Sequence, residues 1–397
     1  MITTISAESL RQGFSRAFGC EPERFFSAPG RTELGGNHTD HQQGMVLAAA
    51  VDLDICAAVR ENGTDEIRVL SQGYPLCTVS LRALTPQSAE VNTTAALIRG
   101  VAARFTELGC TVRGFDAYME STVLPGSGLS SSAAFEVLVG TVINSLFFEG
   151  KVSPAEIAII GQYAENVFFG KPSGLMDQMA SSVGGMVFID FADPKNPTIQ
   201  QVDFDFAACG HALCIIDTRS GHEDLTEEYA AIPGELKKIC DHFGKEVLRQ
   251  VDEDAFYREI PTLRKTCGDR AVLRAIHFFR ENARVPLEVD ALNRGDFPGY
   301  LQLMKESGQS SWMYLQNVIP AGSKEEQAVA LTLALCDRYL AGQGGFRVHG
   351  GGFAGTVQAF VPYPILAQFQ KGIEAALGQG ACHILSIRQA GGVELMP

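Results

Sequence analysis

The periods of apolar and polar positions along this chain switch several times, and each switch marks an element. Residues 5–18 carry apolar side chains at helical spacing and read as a short amphipathic helix. A polar, glycine-rich stretch over 32–44 reads as a loop. The long apolar run at 45–59 reads as a strand, and 66–80 reads as two strands about a glycine-containing turn. The pattern then predicts a helix over 91–108, a strand over 114–120 and the start of another helix at 133–138. Ser153-Pro154-Ala155-Glu156 is a helix opening, with a Ser cap, Pro in the first position and Glu three residues after the cap. Ile157, Ile160, Ala164, Val167 and Phe168 form the apolar stripe of that helix, which Gly170 and Pro172 end. Strands are expected at 186–191 and 212–217, and a helix-rich section at 225–342, where Ser323-Lys324-Glu325-Glu326 repeats the capping logic. A glycine-rich segment at 342–355, a strand at 356–361, a helix near 363–377 and a last strand near 383–388 complete the chain.

The first half mixes strands and helices, and the second is helical with late strands. With 397 residues there is length for two or three domains with sizeable cores. The expectation is an α+β fold, with one domain over 1–205 and a second over 206–397 whose last strand is free to pack back on the first. The formal net charge of −14 argues against non-specific partnership with nucleic acid or an anionic membrane. An anionic ligand would need local donors set against that field. The ten cysteines form no C-x-x-C pair, the closest two being Cys209 and Cys214, which is no zinc pattern. The N-terminal residues lack the basic and apolar regions of a secretory signal, and no apolar run approaches membrane-spanning length. A protein with free thiols in a reducing cytoplasm is expected.

Four stretches carry chemistry. In Leu124-Pro125-Gly126-Ser127-Gly128-Leu129-Ser130-Ser131-Ser132-Ala133-Ala134, a glycine-rich turn runs into a helix. Its backbone N–H groups and the helix dipole suit phosphate, and the serine hydroxyls suit capping or a metal ion. No Gly-Lys-Ser/Thr follows, so it is not a Walker A loop; a serine-capped helix after a turn would leave the same trace. A second stretch, Pro29 to His41, crowds Arg31, Asn37, His38 and Asp40 among glycines. Asp40 can accept two sugar hydroxyls, Asn37 can donate and accept, and Arg31 suits a phosphate; a polar surface loop is the competing account. In the third, Asp177 follows Lys171-Pro172-Ser173-Gly174 in small and apolar surroundings, where a carboxylate can orient or receive a hydroxyl proton. Glu165, one position off the apolar stripe, could complete a magnesium site, and a helix-capping Asp and a solvated Glu remain the alternatives. The fourth, His349-Gly350-Gly351-Gly352-Phe353-Ala354-Gly355, implies close backbone approach. Tyr229 is a weaker candidate as a hydroxyl donor, since an aromatic at helical spacing is more often core.

The order of these motifs resembles that of the GHMP small-molecule kinases, and within them the galactokinases. Arg274-Ala275-Ile276-His277, Glu281, Arg284-Val285 and Leu303-Met304-Lys305-Glu306-Ser307 also look like the family's helical region. The resemblance implies a two-domain α+β kinase fold with ATP, Mg²⁺ and a sugar in the cleft between domains. Carried over by motif, Pro125, Gly126, Ser127, Gly128, Leu129, Ser130, Ser131 and Ser132 bind ATP, with Ser132 and Glu165 at the metal. Asp177 is the catalytic carboxylate and Arg31 its charged partner. Asn37, His38, Asp40, Gly174 and Tyr229 stand at the sugar, and Gly350 to Gly352 support the cleft. The implied reaction is phosphorylation of the anomeric hydroxyl of a galactose-like sugar by a monomer or weak homo-oligomer.

Several positions depart from the family pattern Asn-Leu-Ile-Gly-Glu-His-Thr-Asp-Tyr, which here reads Glu33-Leu34-Gly35-Gly36-Asn37-His38-Thr39-Asp40-His41. Asn37 replaces the acid, Ser307-Gly308-Gln309-Ser310 replaces Ser-His-x-Ser, and the arginines expected after Tyr229 and an aromatic near Asn92 are absent. An amide at 37 would lift a block against a charged C6 group, so galacturonate and L-arabinose stand as rival substrates. A sugar and ATP sensor without turnover is the rival of another class, opposed by the intact serine run and Asp177.

Overall fold

The computed structural model describes residues 3–123, 128–171, 173–221 and 225–396. From the N-terminus run α1 (Ala7–Phe18), β1 (Arg24–Gly35), β2 (Met45–Glu61), β3 (Glu66–Ser71), β4 (Cys77–Ser80), α2 (Thr94–Glu107), β5 (Phe115–Ser121) and α3 (Ser131–Phe147). Then come α4 (Pro154–Tyr163), a π-helical turn (Ala164–Phe169), α5 (Met176–Val183), β6 (Met186–Asp190) and β7 (Thr198–Val202). The second half holds β8 (His211–Asp217), α6 (Thr226–His242), α7 (Glu253–Thr266), α8 (Asp269–Asn293), α9 (Phe297–Ser310) and α10 (Ala328–Leu340). It closes with β9 (Gly345–His349), β10 (Thr356–Pro362), α11 (Tyr363–Leu377), β11 (Cys382–Leu385) and β12 (Val393–Leu395).

The strands make an 8-stranded sheet in the order β12-β1-β2-β5-β3-β4, with β6 and β7 continuing from β2, and a 4-stranded antiparallel sheet β11-β8-β10-β9. The long β2 pairs with β6 through its first residues and with β5 through its last, so one strand spans the width of the fold. The turn between β7 and β8, where the sequence suggests a boundary near 205, is where the chain passes from one sheet to the other. The apolar interior does not divide there. Leu213, Ile215, Phe360 and Leu385 of the small sheet share one cluster with Phe26, Leu47 and Val285. The chain end also returns to the large sheet, β12 pairing with β1. Among the described residues no helix is long and apolar enough to cross a membrane.

Where the fold departs from the sequence reading, polar burial is the usual reason. The stretch at 32–44 is not all loop, because β1 continues through Thr32 and Glu33, which pair with Ala49 and Ala48 of β2. Their side chains point into a polar interior, so their polarity imitates a loop. The glycine-rich segment holds β9, and β7 and β12 are short strands without a clear alternation. The last strand is β12, not the one near 383–388, which ends at Leu385. The Ser153 capping box forms as expected. Ser323 caps no helix; its hydroxyl donates to Glu326 O, and α10 opens at Ala328. The π turn rotates the end of the 157–168 stripe, which leaves Val167 exposed and buries Glu165.

Arg388 ties the returning chain end to the large sheet. Its Nη1 donates to Asp54 Oδ2 at 2.7 Å and to Ser27 Oγ at 2.8 Å, all three side chains being buried. Removing one member of such a pair leaves a buried charge without compensation. Arg388→Ala is therefore expected to lower unfolding free energy by roughly 3–5 kcal/mol in urea titrations.

Candidate active site

The site forms where β1, the start of α3 and the start of α5 converge. Arg31 leaves β1 at a register shift of the β1–β2 ladder and donates from Nε to Asp177 Oδ1 at 2.7 Å. Its Nη1 donates to Gly128 O. Asp177 lies in the first turn of α5, and its Oδ2 accepts from Ser130 Oγ at 2.7 Å. Ser130 occupies the cap position of α3 with a left-handed φ of 57°, which costs a non-glycine residue about 1–2 kcal/mol. Its hydroxyl does not cap the helix; it is turned onto Asp177. That leaves the positive end of α3 without a side-chain cap, as an anion site requires. Burial alone would raise the Asp177 carboxyl, but Arg31 and Ser130 outweigh it and hold Asp177 below its ordinary range. Gly128 and Leu129 connect this end to β1, since Arg31 N donates to Leu129 O at 3.0 Å. Pro125, Gly126 and Ser127, expected at the triphosphate, lie outside the described residues.

On the sugar side, Asp40 is packed against Gly174. A Cβ at Gly174 would come 1.7 Å from Asp40 Oδ2, so only glycine lets the carboxylate stand there. Ser173 holds that approach: its N–H donates to Asn166 Oδ1 at 2.7 Å, and its carbonyl accepts from Gln162 Nε2 at 3.0 Å. Burial and the nearby Asp177 charge raise the Asp40 carboxyl to about 6. His38 adopts a left-handed φ of 58°, and its Nε2–H donates to Gly351 O at 3.0 Å. Burial lowers its pKa to about 4, so the ring is neutral near pH 7. Tyr229 lies across the glycine turn and donates its hydroxyl to Gly352 O at 2.8 Å.

Asn37 is placed differently from its expected role at the sugar. It is fully buried. Its Nδ2 donates to Gly350 O at 2.7 Å and to Glu33 Oε1 at 3.0 Å, and its Oδ1 accepts from Asn317 Nδ2 at 3.0 Å. His277 Nε2 donates to its carbonyl, and its N–H reaches Glu281 Oε1. Both polar atoms of the amide are thus engaged by the protein itself.

Ser132 and Glu165 meet as expected, the hydroxyl donating to Glu165 Oε1 at 3.3 Å. The same oxygen accepts from Lys171 Nζ at 2.9 Å, and Glu165 Oε2 accepts from Gln178 Nε2 at 2.9 Å. Gln178 also donates to Glu136, whose carboxyl burial and Glu165 push well above its ordinary range. The Lys171 ammonium is thus seated on the buried Glu165 carboxylate. Among the described residues no three His, Cys, Asp or Glu side chains form a metal cluster. A magnesium ion held by Ser132 and Glu165 would complete its shell with nucleotide oxygens and water. A cavity of about 410 Å³ begins at Ser131 and Ser132 and runs between Tyr74, Leu97, Met119 and Phe135.

A model of the galactokinase galactose-binding signature matches residues 12–61, and one of the GHMP kinases N terminal domain matches residues 96–185. The galactokinase of Streptomyces coelicolor is 30% identical over 372 residues, which cover 93% of this chain and 92% of that protein. The chain belongs to the galactokinase family. Among solved structures, Lactococcus lactis galactokinase complexed with galactose aligns with a TM-score of 0.82 at 23% identity, covering 98% of this chain and 99% of that one. A D-glycero-D-manno-heptose 1-phosphate kinase from Bacteriodes thetaiotaomicron aligns at 0.63 with 14% identity, over 94% and 99%. These two likenesses concern the fold, which is that of the GHMP kinases.

Against the galactokinase pattern, the acid absent at 37 is present four residues earlier. Glu33 and Asn37 carry the family's amide and acid in exchanged order, and they are hydrogen-bonded to each other. Glu33 Oε1 also accepts from Arg347 Nη2 at 2.8 Å, and Glu33 O accepts from the same nitrogen at 3.0 Å. Burial lifts the Glu33 carboxyl to about 7 against the pull of Arg347 and Arg31. Both letters stand in the Glu33-to-His41 motif. Lys171 and Gln178 carry no local signal of a role, because only the fold turns both toward Glu165.

Two outcomes follow for a sugar-binding assay. Gly174→Ala should displace Asp40 and lower kcat/KM for the sugar about 10²-fold, the scale of a misplacement near 1 Å, with ATP affinity kept. Asp40 accepts two hydroxyls at once, with a charged acceptor, only when ionised, and its carboxyl is raised. The pH profile of kcat/KM should therefore be flat above about 6 and fall as pH drops through that value.

Proposed function

We propose that this chain transfers the γ-phosphoryl group of ATP to the anomeric hydroxyl of galactose, giving galactose 1-phosphate and ADP. The observation that carries the reading is the Arg31–Asp177–Ser130 constellation at the open end of α3, with Asp40 a short distance away. Family membership supports galactose over galacturonate or L-arabinose, and the burial of Asn37 supports the same choice. The intact Asp177 site speaks for turnover over a sensor role.

The triphosphate would lie over the N-terminus of α3, and the adenine in the cavity beside Tyr74 and Phe135. Asp40, His38 and the Gly174 backbone would orient the sugar so that its C1 hydroxyl faces Asp177. In the reaction, the bond between that oxygen and the γ-phosphorus forms as the bond from γ-phosphorus to the bridging oxygen breaks. The hydroxyl proton passes to Asp177, and ADP leaves. Asp177 is a weak base because Arg31 and Ser130 stabilise its charge. It therefore orients the hydroxyl early and takes the proton late, which suits a loose transition state that asks little of the nucleophile. Mg²⁺, when held by Ser132 and Glu165 with ATP, supplies charge that neutralises the β- and γ-phosphate oxygens. A small-molecule kinase of the reducing cytoplasm accords with ten free thiols.

The test is phosphoryl transfer over a panel of galactose, galacturonate and L-arabinose, with galactose expected to lead and none of the three being used overturning the reading. Asp177→Asn should lower kcat by ~10²–10⁴-fold with nucleotide binding retained. Near wild-type turnover in that variant would remove Asp177 from the mechanism. Chelation should abolish activity, magnesium should restore it, and Glu165→Ala should raise the concentration of magnesium required.

A further inference from the structure

The cation seated at the candidate metal position belongs to the chain itself. Lys171 follows Gly170, whose left-handed φ of 88° ends the π turn, and its backbone N–H donates to Glu165 O at 3.1 Å. Its Nζ donates to Glu165 Oε1 at 2.9 Å, the oxygen that also receives the Ser132 hydroxyl. The other oxygen, Oε2, is occupied by Gln178. The ammonium thus fills the open side of the Ser132–Glu165 pair. The Glu165 side chain is 3% exposed and that of Lys171 57%, so a flexible stem reaches from the cleft surface to a buried acid.

A magnesium ion on the same carboxylate oxygen would stand close to the ammonium and be repelled by it. Magnesium arriving on Glu165 would therefore compete with Lys171 for that oxygen. The Lys171 backbone stays pinned to Glu165 O, so the head can only swing within the cleft. The nearest large negative charge would then be the triphosphate at the N-terminus of α3. A lysine suits that movement, being a compact charge on a long rotatable stem. Resting on the kinase reading above, we propose that Lys171 is an exchangeable cation of the site: it neutralises Glu165 while nucleotide is absent and moves onto a γ-phosphate oxygen when Mg²⁺ and ATP occupy Ser132 and Glu165. On the phosphate it offsets charge on the transferring group and keeps its own proton throughout.

The test uses Lys171→Met, which keeps the length and removes the charge, and Lys171→Arg, which keeps the charge. Mn²⁺ titrated into nucleotide-free protein and read by EPR should half-saturate Lys171→Met at several-fold lower concentration than wild type, since no ammonium competes. Affinity for a non-hydrolysable ATP analogue should move the other way and fall. With galactose, kcat should fall about 10²-fold, the scale of removing one charge-stabilising donor, with KM for galactose unchanged. Lys171→Arg should recover most of the turnover. A mere ion pair at the cleft edge would tighten Mn²⁺ binding but leave analogue affinity and kcat alone, which would overturn the proposal. Unchanged Mn²⁺ binding would overturn it equally. The Mn²⁺ and analogue titrations need no sugar, so a wild type that phosphorylates no sugar defeats the kinase reading and is told apart from a failure here.

Discussion

The structure depends on one constraint: charged and polar groups carried by β1 into the seam between the two sheets must find partners there. Thr32 and Glu33 point away from water, and an unpaired buried charge costs several kcal/mol. Apart from Asn37, which donates to Glu33, their side-chain partners come from the far end of the chain. Arg347 of β9 takes Glu33, while His349 and Gln358 take Thr32. Asn37 then extends the network to Gly350 and Asn317. The N-terminal segment that carries Arg31, His38 and Asp40 is thereby fixed against the C-terminal glycine turn. A cleft between two halves can hold its geometry only when such a seam is satisfied.

That seam sets the electrostatics of the site. Asp40 and Asp177 are neighbouring carboxylates with opposite fates. Asp177 receives a guanidinium and a hydroxyl and is held below its ordinary range, whereas Asp40 has burial and a like charge beside it and is raised. Environments that push two titratable groups apart divide labour between them. Here the division gives one carboxylate held ionised beside a guanidinium and one that is easier to protonate.

The exchange of Glu33 and Asn37 shows how a motif can keep its physics while changing its letters. The family's amide and acid lie four residues apart, on either side of Leu34-Gly35-Gly36, where β1 ends. In this chain they have swapped places and remain bonded to each other. With the acid on β1 rather than after it, Arg347 is its partner, and position 37 is left with a neutral amide bonded to the Gly350 carbonyl.

The sequence by itself determined what short-range physics controls. The Ser153–Glu156 box closes within four residues, the apolar run of β2 has no other stable fate than a central strand, and the ordered motifs named the chemistry. The pairing of Arg31 with Asp177 could be carried over from the family pattern because both positions match it. Tertiary structure decided which polar residues are buried. Glu33 and Arg347 lie 314 residues apart in the chain, so nothing local marks Glu33 as a strand residue in a charged interior. The same holds for Asn37, whose role follows from the partners that surround it. Lys171 follows the same rule, since the π turn that aims Glu165 inward is set by packing, and only that turn brings the two charges together.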